Sequence, residues 1–571
     1  MTIVRHVMRW LRGCSPSAGW RRGSVVGFGI VLLILAVEGF VLRDPYEPAP
    51  RDIDASVKRA QTLALGESGF LRQALPYRAG YLDPQHWYLP FVKPFVMRTR
   101  TGMQSIFPTT AAAIDVPAEW LGGMAALRLV SLVSALAAVL VLLRVLRDAQ
   151  DVVAPVAIVL ATPLWYYALG GTSHPVGLLL AMGALVAAID GERAFTAGLL
   201  LGLSSTLRDE TLALAPGLLV IGALRWRTPG PLARTVTGIA LPVGLVALAD
   251  QYLYGRPAAA HLLHAIQGSF FWDAATGSMA VLEPMSWGQR INTVLVYWID
   301  GRSLIHAAVV SVGIAFAAAV RHRTGSFWGA MPALGIVLLD TATDVVALLE
   351  APKRLPGLLR LAPFLLFAVL PHAEASADQM RRRTSVLILS AVFVLVAAAT
   401  TNTSGGKPLG PRLLLPIWLP LSAVAWQGVR GHVLARGRAL SHRLLAAGGI
   451  ALVLAGLAIN AVVLMPAYRV AEADAIEATR FLARSADEVV VMGSPFAIDP
   501  VIAVYSSKSV MLASSAEDAR DIAERLERGR IRQFRFVRRS GRDDLVADFP
   551  SYAMHDESIF GRWIIQRWTL R

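Results

Sequence analysis

The sequence predicts an all-α polytopic membrane protein of about thirteen transmembrane helices. To these it adds a first outer loop with a juxtamembrane helix and a small C-terminal α/β domain. Three observations predict this. Of 571 residues, 55% are hydrophobic and only 17% are charged, against roughly 25% charged in soluble domains; the mean hydropathy is +0.52. Apolar runs long enough to span, or nearly span, a hydrocarbon core of roughly 30 Å recur along the chain. Arginines crowd the short loops at one side of those runs, and acids gather at the other. The formal net charge of +15 therefore reads as topology, and no nucleic-acid partner is expected.

Residues 1–24 hold Arg5, Arg9, Arg12, Arg21 and Arg22 without an acid. The apolar run Val25 to Leu42 follows. Its length, with no small-residue cleavage site behind it, predicts an uncleaved first helix with a cytoplasmic N-terminus. Further spans are centred near residues 135, 161, 182, 200, 217, 244, 311, 337, 364, 392, 419 and 455. If they alternate, Arg144/Arg147, Arg225/Arg227/Arg234, Arg321/Arg323, Arg381 to Arg383 and Arg430/Arg436/Arg438/Arg443 all face the cytoplasm. Asp52, Asp54, His174, the loop Gly255 to Arg302, Thr401 to Arg412 and everything after Met465 then share the outer side. The expected divisions are a basic N-terminus at 1–24, a transmembrane domain at 25–465 with its first outer loop at 43–121, and an extracytoplasmic α/β domain at 466–571. In that last part Glu472 to Arg484 and Ala516 to Arg528 read as helical, and Glu488 to Met492 and Gln533 to Val537 as extended. It has no glycine-rich phosphate loop, so no nucleotide is assigned. The lone Cys14 excludes an intrachain disulfide and a multi-cysteine metal site.

In the first outer loop, apolar positions at Ile53, Val57, Ala60 and Ala64 have helical spacing, with Lys58, Arg59 and Gln61 on the other side. Such a helix would lie along the membrane surface. Asp52 and Asp54 sit at its start and have two readings: an N-cap, or a carboxylate that takes a proton from an attacking hydroxyl. Three more polar sites fall at the membrane edge, where lipid tolerates polar groups only with a partner or a purpose. They are Thr162-Pro163-Leu164-Trp165-Tyr166-Tyr167 leading to Ser173-His174, then Arg208-Asp209-Glu210, then Gly405-Gly406-Lys407 through Arg412. The plain readings are an interfacial aromatic belt for Trp165 and Tyr166, a helix-end histidine, a local Arg208–Glu210 ion pair, and a snorkelling Arg412. Together, however, they place a base, cationic groups able to clasp a phosphate and a greasy groove on one membrane face. Glycosyl transfer from a lipid-phosphate donor needs those three things.

The pattern resembles the GT-C superfamily of membrane glycosyltransferases, with the likeness running from about Val25 to Met465. Asp52 to Leu63 resembles the family's first-loop element, an Asp before an amphipathic Ala/Leu helix, although the aromatic common after that Asp is missing. Ser105-Ile106-Phe107-Pro108 is similar to its Tyr-Pro-Pro-Gly stretch, with Thr109 and Thr110 in place of Pro-Gly. Thr162 to Tyr167 with Ser173-His174 resembles the segment ending in Ser-His or Glu-His. Gly198 to Pro216, carrying Arg208 and Glu210, resembles the Gly-x-x-x-Gly…Arg-x-Glu span. Tyr252 to Pro257 is similar to Asn-x-x-x-Phe-Gly-x-Pro, with Asp250 near the usual Asn. Gly410-Pro411-Arg412 resembles Gly-Pro-Arg-Tyr, with Leu413 for Tyr.

The resemblance implies a mannosyltransferase- or aminoarabinose-transferase-like, inverting enzyme of the cytoplasmic membrane. It would move sugar from a polyprenyl-phosphate donor to a cell-envelope glycan, lipid or protein, among membrane lipids. Asp52 would be the catalytic base, and Asp54 would assist or, with Asp52, hold a divalent metal cation. His174, Arg208, Glu210, Lys407 and Arg412 would bind substrate. Two other classes compete: a lipid or polysaccharide transporter or flippase, and a non-catalytic envelope-assembly protein. Against transport stand the lack of an inverted repeat and the gathering of polar sites at one face. Asp340, Asp344 and Glu350 find no place in any of these readings.

Overall fold

A computed structural model describes residues 22–41, 53–91, 95–99, 101–145, 151–189, 193–226, 228–255, 270–273, 278–281, 286–289, 361–368, 376–400, 414–435, 440–494, 497–540 and 549–571. The chain is mostly helical, with a small sheet near its C-terminal end. The helices used here are α1 (Arg22–Ala36), α2 (Ile53–Glu67), α3 (Thr109–Val145), α4 (Val153–Leu160), α5 (Leu164–Leu169), α6 (His174–Ile189), α7 (Ala194–Leu207), α8 (Leu214–Trp226) and α9 (Pro229–Tyr254). They continue with α10 (Ala377–Thr400), α11 (Leu415–Ala435), α12 (Leu440–Leu457), α13 (Met465–Arg484), α14 (Ile498–Val501) and α15 (Ala516–Arg528). Among the described residues three helical stretches are long and apolar enough to cross a membrane: Thr109–Leu143, Pro229–Tyr254 and His442–Arg484. Val26–Phe40, His174–Ile189 and Ala194–Leu207 are apolar but shorter. The runs expected near 311 and 337, with Asp340, Asp344 and Glu350, lie outside the described residues.

Local chemistry explains where the helices break. The run centred near 161 is not one continuous helix. Pro163 has no backbone N–H to donate, and the chain divides there into α4 and α5. Thr162 patches the gap: its hydroxyl donates to the Ile158 carbonyl at 2.6 Å and accepts from the Leu164 N–H at 3.3 Å. Helix α3 is bent at Gly122–Gly123, where Gly123 has φ 58° and ψ −138°, a backbone that side-chain-bearing residues rarely adopt. The bend separates a first half that packs on α2 from a second half that joins the bundle. Helices α7 and α9 touch backbone to backbone. A Cβ on Gly198 would sit 2.0 Å from the Thr235 carbonyl oxygen, and one on Gly202 2.6 Å from that of Ile239. Small residues permit such approach between apolar helices.

One core fills the bundle, running from Val31 on α1 through Trp165, Phe364, Phe393 and Trp418 to Tyr468. A second joins Val57, Ala60, Phe91 and Phe107 of the first loop to Ala478, Val490, Val501 and Trp563 of the C-terminal part. That part carries a five-stranded sheet. Besides two short hairpins, β1 (Val96–Thr99) with β2 (Gly102–Ser105) and β3 (Phe270–Asp273) with β4 (Ser278–Val281), its strands are β5 (Val489–Met492), β6 (Ser509–Leu512), β7 (Gln533–Arg539), β8 (Tyr552–Phe560) and β9 (Trp563–Leu570). Their order is β6-β5-β7-β9-β8. The β6-β5-β7 half is parallel, and β7-β9-β8 is antiparallel. The two stretches expected to be extended, Glu488 to Met492 and Gln533 to Val537, thus form the parallel β5-β7 pair of a mixed sheet.

The sheet domain rests on the first loop expected from sequence, residues 43–121. The buried Asp83 carboxylate accepts from the Tyr88 N–H at 2.8 Å and the Tyr77 hydroxyl at 2.9 Å, with Arg525 of α15 3.7 Å away. The Tyr88 hydroxyl donates to Asp521, that of Tyr505 to the Pro76 carbonyl, and the Leu512 N–H to the Tyr88 carbonyl at 2.8 Å. Burial, with the Asp83 carboxylate beside it, pushes the Tyr77 phenol well above its usual range. This docking corrects the sequence expectation for α2. Val57, Ala60 and Ala64 are buried as predicted, but Lys58 and Gln61, expected on a solvated face, are buried as well. The helix lies between α3 and the C-terminal domain, so both its faces are covered.

Candidate functional site

Two polar groups stand out near the outer loop. The first is a chain of uncharged side chains ending on a carboxylate. Gln61 of α2 donates to Gln73 Oε1 at 3.2 Å and to the Phe107 carbonyl at 3.4 Å. Gln73 donates to the Thr109 hydroxyl at 2.6 Å, and Thr109, the first residue of α3, donates to Asp250 of α9. Beside it Gln104 Nε2 and the Thr101 hydroxyl both donate to the Tyr254 carbonyl at 2.9 Å, and the Tyr254 hydroxyl reaches the Phe70 carbonyl. Lys58 lies 4.6 Å over the Phe107 ring. Stretches far apart in sequence thus meet: the first-loop helix, Phe107 to Thr109, and Asp250 to Tyr254. Most of these buried polar groups are matched by another, as burial favours, while Gln61 Oε1 and Gln104 Oε1 find no donor among the described residues.

The second group is His174, Arg208 and Glu210. Arg208 Nη1 lies 2.8 Å from His174 Nε2, and Arg208 Nε donates to Glu210 Oε1 at 2.8 Å, with Nη2 closing on the same oxygen. His174 and Arg208 are 6% and 8% exposed. So the Arg208–Glu210 pair is not merely local: it reaches the first residue of α6, 34 positions back. The elements explain the meeting. Arg208 follows the last residue of α7 in an extended conformation, and α6 and α7 run side by side. A Cβ on Gly177 would stand 3.0 Å from Arg208 Cγ, so the glycine makes room for the side chain. The Ser204 hydroxyl donates to the Gly177 carbonyl at 2.7 Å and fixes the register. Tyr167 packs 5.3 Å from the His174 ring.

Helix α3 links the two groups. It begins at Thr109, and its Ser131 hydroxyl donates to the Thr172 carbonyl at 2.8 Å, two residues before His174. Gly171, at φ 59°, passes close to Met124 and Arg128 of the same helix. Arg128 is 5% exposed, a buried cation close to Gly171 that the sequence did not single out. Trp165 and Tyr166 are not an interfacial belt. Both are buried, and Trp165 donates to Asn460 at 3.2 Å.

The structure brings together His174, Arg208 and Glu210. Asp52, Lys407 and Arg412 lie outside the described residues, as does the Asp54 side chain; the backbone of Asp54 is in the first turn of α2. Gln61 and Gln73 had no signal in the sequence beyond their polarity, and Thr109 had only its place after Phe107-Pro108. Asp250 had one, its place near an expected Asn. Among the described residues no three His, Cys, Asp or Glu side chains converge to hold a metal ion. The divalent cation expected from sequence is assigned to Asp52 and Asp54, whose side chains lie outside the described residues.

No protein-family profile matches the chain, and no curated protein matches its sequence. Solved structures do. ArnT from Cupriavidus metallidurans bound to undecaprenyl phosphate aligns over 95% of this chain and 98% of its own, with a TM-score of 0.50 at 12% identity. Its apo form aligns at 0.38 and 15% identity over the same shares. The Archaeoglobus fulgidus oligosaccharyltransferase aligns over 90% of this chain and 69% of its own, at 0.43 and 11% identity. The chain is a mostly helical protein with a GT-C-like fold. A 95% alignment is too extensive to leave out either the helical part or the C-terminal sheet domain.

Proposed function

We propose that the chain is an integral-membrane glycosyltransferase that moves a sugar from a polyprenyl-phosphate donor to a cell-envelope acceptor on the outer side of the cytoplasmic membrane. The observation that carries this is the GT-C-like fold along nearly the whole chain, with His174, Arg208 and Glu210 joined in one buried cluster. The ArnT structure holds undecaprenyl phosphate, which supports a lipid phosphate as the donor's carrier. The layout of about thirteen spans, the division at 24 and 465, the cytoplasmic N-terminus and the extracytoplasmic C-terminus belong to the same proposal.

In the proposed reaction Asp52 accepts the proton of the acceptor hydroxyl. The freed oxygen attacks the sugar's anomeric carbon, whose bond to the phosphate oxygen breaks as the new one forms. The electron pair leaves on the polyprenyl phosphate, and a single displacement inverts the anomeric centre. Charge then builds on the departing phosphate, where Arg208, with Lys407 and Arg412 from the sequence before α11, would bind it; preorganised cations there lower the barrier. His174 shares the Arg208 fork and would contact the same phosphate. Glu210 is a positioning residue, holding the guanidinium by its Nε edge. A divalent cation, when bound at Asp52 and Asp54, would supply further charge to the phosphate.

The test is Asp52→Asn. Asparagine caps a helix about as well as aspartate, so a capping role survives the change. It cannot accept the proton, and general-base loss typically costs roughly 10²–10⁴-fold. Purified protein with radiolabelled polyprenyl-phosphate sugar should lose transfer to that extent while keeping its unfolding temperature. Full activity in Asp52→Asn with loss in Asp54→Asn would move the base to Asp54. Activity retained by both would overturn the first-loop reading.

A further inference from the structure

A cleft of about 590 Å³ lies in the C-terminal domain, where the last turns of α13 cross the β7–β9 face of the sheet. Arg480 and Arg484 come from α13, Arg535 from β7 and Arg567 from β9, and the rings of Phe481 and Phe560 close one wall 5.2 Å apart. The acids lining it are Glu477 and Asp487, so four cations face two anions and the lining carries a net +2. Arg535 and Arg567 are direct cross-strand partners. Like charges directly opposite each other in a sheet destabilise it. The fold spends contacts holding them there. Arg535 donates to Asp487 at 2.6 Å and to Asp556 at 3.0 Å and lies 5.0 Å over the Phe481 ring; Arg567 Nη2 donates to Gln533 at 2.7 Å. Even so, the buried Arg567 Nε has no acceptor among the described residues, nor has Asp487 Oδ1 a donor.

An arginine fork asks for an oxyanion, an orphaned carboxylate oxygen asks for a hydroxyl, and two phenyl rings ask for an apolar face. A sugar ring bearing an oxyanion meets all three requests, and the space suits a small ligand. The cleft also stands clear of the apolar part of its helix. Arg480 and Arg484 lie 15 and 19 residues beyond Met465, an axial rise of about 22 and 28 Å. A lipid headgroup at the end of that apolar run would not reach it, but an extended glycan would.

We propose that the cleft between α13 and the β7–β9 face binds an anionic sugar, with its carboxylate or phosphate on Arg484 and Arg567, a hydroxyl donating to Asp487, and the ring against Phe481 and Phe560. That this sugar belongs to the acceptor glycan rests on the transferase reading; the binding itself does not. Saturation-transfer NMR on the full chain in detergent micelles tests it, with glucuronate, glucose 6-phosphate, neutral maltose and inorganic phosphate as probes and no donor present. Ring-proton signals are expected from the first two and not from maltose, and the stronger of the pair says whether carboxylate or phosphate is preferred. Arg484→Glu, an exposed change, should weaken both at least tenfold, the equivalent of one lost charged hydrogen bond, with an unchanged unfolding temperature. Arg567→Gln should act alike. Equal signals from maltose, or undiminished binding in both variants, would overturn the proposal. So would inorganic phosphate binding alone without any sugar signal, since that describes only a basic patch. Asp52→Asn protein should bind as the native chain does, so failure of the catalytic reading leaves this result standing.

Discussion

Arg208 spends its guanidinium on two partners at once, with one edge to Glu210 and one nitrogen to His174. A lysine keeps the charge but offers a point instead of a fork. Arg208→Lys should therefore lower transfer by about ten- to a hundredfold, the loss of one charged hydrogen bond, with the unfolding temperature within a few degrees of native. A steady-state assay with the lipid-linked donor measures this. Native turnover in Arg208→Lys would remove the arginine from the phosphate site. The Arg208–Glu210 half of this cluster was legible in the sequence because the two residues are neighbours. The His174 half was not, because only the side-by-side packing of α6 and α7 brings that ring within reach. The chain Gln61–Gln73–Thr109–Asp250 was hidden for a related reason. Single glutamines and threonines carry no periodicity of their own, and only burial turns them into obligatory partners.

At the scale of elements, the close approach of α7 and α9 makes a sharp prediction. Gly198→Val puts its Cβ into the Thr235 carbonyl, and the helices must part to admit it. Overpacking of this kind typically costs about 1–3 kcal/mol, and here the obstruction is backbone, which cannot swing aside. Gly244→Ala, on the same α9 with nothing within 4 Å of the new Cβ, serves as the control and should be neutral or slightly stabilising. Thermal unfolding in detergent should separate the two variants by several degrees. Equal melting would mean that the helices are not in contact there. The Gly-x-x-x-Gly spacing was visible in the sequence only as part of a family likeness, and the contact it permits emerges from the packing of α7 on α9. The faces of α2 were read less well. Its apolar stripe was visible, but nothing in the local pattern told that a second domain would cover Lys58 and Gln61 too. Likewise the apolar run near 161 hid a break, because hydropathy counts Pro163 lightly while the hydrogen-bond ladder cannot continue through it.

At the scale of the whole molecule, ion pairs join distant ends. Glu38, near the close of α1's run, pairs with Arg469 just past Met465; Asp151 pairs with Arg430 at 3.2 Å. Each pair joins two points that the alternation of spans puts on one side, and reporter fusions after Tyr468 and at Arg381 to Arg383, in the first turns of α10, should then report opposite sides. Finding them together would sink the span layout. The docking of the sheet domain carries its own pH dependence. Burial pushes the Asp521 carboxylate up, but the Tyr88 hydroxyl and Arg525 bonded to it outweigh that and hold it below its usual range. A depressed carboxylate stabilises the docked state above its ordinary pKa of roughly 3.9, and that contribution is lost as pH falls through the lowered value. Limited proteolysis should find the segment 76–88 protected at pH 7 and opened as pH falls below about 4, and Asp521→Asn should open it already at pH 7. Protection that is equal at both pH values in both proteins would refute this role for Asp521.

The seven residues Ala458–Leu464 form a wide π-helical turn in the rod that α12 and α13 make together. Wide turns of this kind are sparse and often mark places of function. Asn460 pins this one, donating to the Leu361 and Gly456 carbonyls and accepting from Trp165. From Asn460 to Arg484 the rod is a lever arm of about 36 Å. A tilt of about 5° at its fulcrum sweeps the far tip sideways by roughly 3 Å, the length of one hydrogen bond. Any rocking of Trp165 against the bundle is thus magnified at the arginines of the sheet domain, and pressure there is returned, reduced, to the aromatic stack beneath.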